Sequence, residues 1–234
     1  MKVRIKFKKY GALRFIGHLD VMRFFQKAMR RAEIPIAFTS GYSPHMIMSF
    51  ANPLGIGLSS EGEYFDIELK EPISSKDAVA QLNSVMVEGM EVVSFRQIAE
   101  EKKMTGMALV AAADYLVTPM KQDFEEGWEA KFEEFLAQNE IRVIKATKRS
   151  EMEVDIRPMI YKTEIRENGV FLKLAAGSVN NLKPNLVMQE FCNFMNVTPE
   201  SMGFHYHRLE MYANINENDP LDFVTLEDLG TEIQ

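Results

Sequence analysis

Residues 2–8, KVRIKFK, alternate without a break, with Val3, Ile5 and Phe7 against Lys2, Arg4, Lys6 and Lys8. A period of two puts the three apolar side chains on one face of a strand and the four cations on the other. Such a strand must pack one face into a core and find water or carboxylates for the second. Residues 63–69, EYFDIEL, repeat the pattern, with Phe65, Ile67 and Leu69 inward and Tyr64, Asp66 and Glu68 outward. The two runs are expected to be neighbours in one antiparallel sheet, with cross-strand ion pairs from the basic row to Asp66 and Glu68.

Around these strands the periodicity predicts a helix over 18–32, ended by Pro35, a second helix over 75–87 opened by a serine cap, and a strand over 90–98. The same order then recurs. A strand over 114–120 precedes a helix over 122–138 that carries Phe124, Trp128, Phe132, Phe135 and Leu136 on one side. A strand over 141–147 follows, then two runs around Glu167-Asn168-Gly169, a hairpin signal, then a helix from Pro184 to about Asn196 and a closing strand over 205–212. The expected fold class is α+β: two tandem ferredoxin-like β-α-β-β-α-β units with antiparallel sheets. Their boundaries are set at 1–98 and 113–213, with a charged linker over 99–112 and an acidic tail over 214–234 that is expected to be mobile.

The single cysteine, Cys192, lies in an apolar helical pattern between Phe191 and Phe194 and reads as a buried thiol. One thiol cannot hold an iron–sulfur cluster or a cysteine zinc site, and no cofactor is expected. Apolar runs such as 107–113 fall short of a membrane span and MKVRIKFKKY is not a signal peptide, so a cytoplasmic protein without membrane contact is expected.

Net charge is −7, but residues 1–50 hold ten Lys/Arg against Asp20 and Glu33, whereas the remainder holds 17 against 32. A basic end at +8 on a remainder at −15 calls for an anionic partner or for neutralisation between the two parts. On the helix over 18–32, with Arg23 as origin and about 100° per residue, Arg30 falls at about −20°, Lys27 at about 40° and Arg31 at about 80°, and the apolar arc lies opposite. Only Asp20 offsets this stripe, and Arg14 approaches it from the preceding loop. His18 falls on the packed side, as a satisfied core histidine would. The loop GYSPH offers Tyr42, Ser43 and His45 after Gly41. GIGLSSEGE is neither a dinucleotide nor a Walker loop and reads as a bend into a strand. His205 and His207 share a strand face with no carboxylate at a telling spacing, so no metal site is expected.

The block RFIGHLDVMRFFQKAMRRAEIPIAFTSGYSPHMIMSFANPLGIGLSSEGEYFDIEL, with VDIRP at 154–158 and GSVNNLKP at 177–184, resembles the radical-SAM-linked proteins, an uncharacterised bacterial family found alone or joined to cobalamin-binding radical-SAM enzymes. Gly17 stands where the family has serine, and Tyr42-Ser43 where it has Phe-Asn, which keeps an aromatic ring and removes an amide. The resemblance implies a radical-SAM protein as partner. The family's setting among ribosomal-protein and ribonuclease genes implies RNA as the object, and Asn181 and Lys183 as a motif of the second unit.

Three functions follow as expectations. The first is an accessory module whose Arg14, Arg23, Lys27, Arg30 and Arg31 hold an RNA backbone while Tyr42, Ser43 and His45 contact bases, presenting substrate to a radical-SAM enzyme. The second is a metal-independent endoribonuclease using His18, Tyr42 and His45, should they converge. The third is a protein adaptor whose cations dock on acidic residues without nucleic acid.

Overall fold

A computed structural model describes residues 1–146, 151–167, 169–216 and 221–234 of the chain. In chain order the elements are β1 (Lys2–Lys9), α1 (His18–Arg31), β2 (Met48–Phe50), β3 (Ser59–Glu68), α2 (Ser75–Asn83), β4 (Met90–Ile98), α3 (Gly106–Leu109) and β5 (Val110–Pro119). They continue with α4 (Trp128–Leu136), β6 (Arg142–Ala146), β7 (Glu151–Asp155), β8 (Ile160–Arg166), β9 (Gly169–Ala175), α5 (Pro184–Phe194), α6 (Pro199–Met202), β10 (Phe204–Asn214), β11 (Phe223–Thr225) and β12 (Thr231–Glu232). The protein is α+β, and its strand pairing is mostly antiparallel. Asn168 and Thr147, part of the expected hairpin turn and strand, lie outside the described residues, as do 217–220 of the expected tail. No described helix is long and apolar enough to cross a membrane.

Two compact units form, one of residues 1–113 and 207–234 and one of 114–206. In the first, strands run in the order β12-β4-β1-β3, and β2 and β10 both lie against β3. Val3, Ile5 and Phe7 are buried, as their alternation requires. Val21, Phe25, Ala28 and Met29 of α1 are buried too. Phe25 meets Phe7 and Phe65 at ring distances of 4.7 and 4.6 Å, and Phe50 stacks on Phe65 at 5.1 Å. α1 ends where expected. The Ile34 N–H reaches back to the Met29 carbonyl at 3.0 Å with Glu33 in the left-handed region, and Pro35 forbids another turn.

The outward face of this sheet differs from expectation. Register sets Arg4 opposite Asp66 as predicted, yet Arg4, Tyr64 and Asp66 are all buried. Residues 221–234, expected as a mobile tail, supply the cover: β11 pairs with β10, β12 with β4, and Leu226 is fully buried. Residues 99–112 are likewise structured rather than a plain linker, because the buried Arg4–Asp66 pair bonds their backbone at Met104 and Gly106. The sheet is mixed, since β10 runs parallel to β3, with His207 opposite Ser59. These strands are joined by a long crossover, so no hairpin turn imposes their direction.

In the second unit the order is β5-β9-β8, and β6 and β7 form a separate antiparallel pair. The helix expected over 122–138 begins only at Trp128, because Gly127 takes φ +81; Phe124 stacks on Trp128 at 4.1 Å from the preceding loop. Cys192 is fully buried, and burial pushes its thiol up to about 11. The VDIRP stretch breaks one expected run into β7 and β8. The Asp155 carboxylate accepts from Ile141 N at 2.8 Å and Arg157 N at 3.0 Å, which tightens the chain into a turn.

Candidate functional site

Three cations of β1, Arg4, Lys6 and Lys8, are paired with carboxylates inside the first unit. The Arg4 guanidinium grips Asp66 bidentately, at 2.8 and 3.1 Å, and donates to the carbonyls of Leu226 and Met104. Lys6 lies 2.7 Å from Glu210 and 2.9 Å from Glu227. Burial alone would lower its ammonium, but the hydrogen bonds and charge of Glu210 and then Glu227 outweigh it and raise it. Burial, then the neighbouring Glu210, holds the Tyr64 hydroxyl far above its usual range. Lys8 pairs with Glu91 and Lys2 donates to the Glu100 carbonyl. Part of the basic end thus answers the acidic remainder of the same chain.

The stripe on α1 is different. Arg23, Lys27, Arg30 and Arg31 are all exposed. Arg23 touches Asp20 at 3.4 Å, both side chains being more than 60% exposed, a contact worth little in water. Among the described residues no carboxylate lies within ion-pair distance of Lys27, Arg30 or Arg31; the last makes only a 3.5 Å contact to the Val85 carbonyl. Arg14 is half-buried, with its guanidinium 4.7 Å from the Phe15 ring centroid and its carbonyl bound by Gly57 N–H at 2.8 Å.

The loop over 39–45 is pinned at its base by a bridge between Phe38 and Met46. Thr39 Oγ1 lies 3.1 Å from both the backbone N and the Nδ1 of His45. Tyr42, Ser43 and His45 are exposed, Tyr42 completely, and Gly41 at φ +109 permits the bend. His18 is placed otherwise. Its ring packs edge-on against Phe50 at 4.9 Å and lines a cleft with Lys9 and Glu63. None of the groups around His18 is one that His45 bonds. In the second unit Asn181 and Lys183 are exposed, and Leu182 between them is buried.

Three further charges, Lys9, Glu63 and Arg208, are buried, and the alternation marks two of them. Counting back by two from Phe65 puts Glu63 on the core face, and counting on from Phe7 does the same for Lys9. Arg208, from β10, approaches Glu63 at 3.3 Å and donates to the Asn52 carbonyl at 2.8 Å. Burial pushes the Glu63 carboxyl up; Arg208, Ser60 and Lys9 oppose this. Burial likewise lowers the Lys9 ammonium, which donates to the Ile16 carbonyl at 3.0 Å. The cavity between Lys9, His18 and Glu63 is about 10 Å³, room for about one water and not for a substrate. The cluster therefore anchors the chain entering α1 and so positions Arg14 and Phe15.

Burial holds the His18 imidazole below its usual range. The unfolded chain takes up this proton near pH 6.5, about the unperturbed value, and the folded chain only at lower pH. Between those values the unfolded state binds more protons, so stability falls as pH falls. His18→Phe is expected to flatten the decline of the urea midpoint across that window; an unaltered decline would assign it to other groups.

A family profile described as "Uncharacterized protein conserved in bacteria (DUF2344)" matches residues 2–184. No curated protein matches the chain.

Proposed function

The chain belongs to this DUF2344 family of uncharacterised bacterial proteins, and from that premise we propose that it is an RNA-holding accessory module that works beside a radical-SAM enzyme. The carrying observation is the α1 stripe: four exposed cations without a buried counter-charge, on a protein whose other basic row is neutralised internally. Three arginines in that stripe suit bidentate contact with phosphate oxygens, which fix position without reading sequence. With an overall charge of −7, such binding is local and salt-sensitive.

The two units are read as ferredoxin-like. Support comes from the order β4-β1-β3, with β2 against β3, in which β1 sits between β3 and β4, and from the order β5-β9-β8 in the second unit. The radical-SAM partner rests on the resemblance of the 14–69 block and the 154–158 and 177–184 motifs. An endoribonuclease is the weaker reading, because His18 is engaged with Phe50 while His45 is engaged with Thr39.

Arg23→Glu combined with Arg30→Glu is expected to weaken RNA affinity at least about tenfold and to flatten its salt dependence, with the slope falling by about 0.7 for each phosphate of a single strand that is no longer neutralised. Crosslinking to RNA in cells, followed by sequencing, reads the same loss. If RNA retention is unchanged and co-purification with a protein partner disappears, the adaptor reading replaces this one.

A further inference from the structure

Three large apolar side chains stand at the N-terminal end of the cationic stripe. Phe15, Leu19 and Ile56 are 60%, 58% and 67% exposed. Ile56 Cδ1 lies 3.8 Å from where a Cβ on Gly17 would be, and in the chain Gly17 is two residues from Phe15 and two from Leu19. Single exposed apolar residues are ordinary on a protein surface, but a cluster rimmed by cations is a mark of recognition. Leu19 lies one turn before Arg23 on the same helix line, so the apolar end and the cationic stripe form one face. From Leu19 to Arg31 this face extends about 18 Å along α1, at about 1.5 Å per residue.

The chemistry of that face narrows what it can take. A row of cations alone fits any polyanion. Phe15 adds an exposed ring with the Arg14 guanidinium 4.7 Å from its centroid, a platform that offers a planar partner dispersion and a favourable charge. A polyanion that carries planar rings able to leave their stack is single-stranded nucleic acid; a duplex keeps its bases inside.

We infer that the ligand of this face is single-stranded RNA, with an unpaired base stacked on Phe15 and the adjoining backbone on Arg23, Lys27 and Arg30. This rests on the RNA reading above and names its substrate class. Lys9 holds the carbonyl of Ile16, the residue after Phe15, at 3.0 Å.

The experiment compares an unstructured fluorescein-labelled RNA with a fully paired duplex of the same length, by anisotropy at low salt. Phe15→Ala is expected to weaken the single strand about tenfold, within the range for removal of one base–aromatic stack, and to leave duplex affinity and the salt slope unchanged. Phe15→Trp should restore the single-strand affinity. Because the ring is largely exposed, an unchanged thermal midpoint checks that both variants fold. If Phe15→Ala binds the single strand like the parent while Arg23→Glu/Arg30→Glu loses it, the stacking inference falls and the RNA reading stands. If the parent binds neither RNA, the reading falls and the inference with it. If Phe15→Ala spares RNA but abolishes co-purification with a protein, the patch is a protein-docking face and the inference is overturned.

Discussion

Arg4→Met is expected to destabilise the first unit by about 3–5 kcal/mol, because it leaves the Asp66 carboxylate buried without its counter-charge. The guanidinium bonds both Asp66 oxygens, and Asp66 also accepts from Gly106 N at 2.7 Å. Adding Asp66→Leu should recover only part of the loss. It removes the stranded charge, but the Leu226 and Met104 carbonyls and the Gly106 N–H then lack partners, at about 1 kcal/mol or more each. Urea midpoints of the two single variants and the double complete the cycle. A loss under about 1 kcal/mol for Arg4→Met, or a double variant no better than the single, would show that the pair is not what holds the two strands to the segments that cover them.

Removal of residues 221–234 is expected to cost about 4 kcal/mol or more. The deletion strips the fully buried Leu226, worth about 2–5 kcal/mol if truncated to alanine alone, and takes Glu227 from Lys6 and Arg96. It also removes the exchange between Ser75 and Ile233, in which the Ser75 N–H donates to the Ile233 carbonyl at 2.9 Å and the Ile233 N–H to Ser75 Oγ at 2.8 Å. Hydrogen exchange should quicken in β1 and β4, while amides of α5 in the second unit keep their protection. If the shortened chain unfolds at the same midpoint and exchanges at the same rates, the segment contributes nothing and is a tail in the sense its composition suggested.

Particular residues show where reading the sequence succeeds. The alternation of Val3, Ile5 and Phe7 and of Phe65, Ile67 and Leu69 set the core face of two strands, and the arc of Val21, Phe25, Ala28 and Met29 set that of α1. These are local periodicities, written in neighbouring residues, and any core that accepts the element must respect them. The cationic stripe was legible for the same reason, since helical geometry alone puts Arg23, Lys27 and Arg30 on one side. Phe15 and Ile56 were not legible as one patch, because the loop that brings Ile56 to Gly17 begins more than thirty residues after it in the chain.

Short-range spacing and charge were enough to specify β1, β3 and β4, to set the basic row of β1 against the strand that carries Asp66, and to give the length of α1 and the sign of its outer face. Three-dimensional packing was needed to make the polar side of the first sheet a second interior, to bring Lys6 to Glu210 and Glu227, more than 200 residues away, and to gather Glu63, Lys9 and Arg208 into a buried site. A charged side chain carries no local mark of whether water or a distant segment will solvate it. That depends on which part of the chain returns to cover it, and on whether the returning part brings the opposite charge.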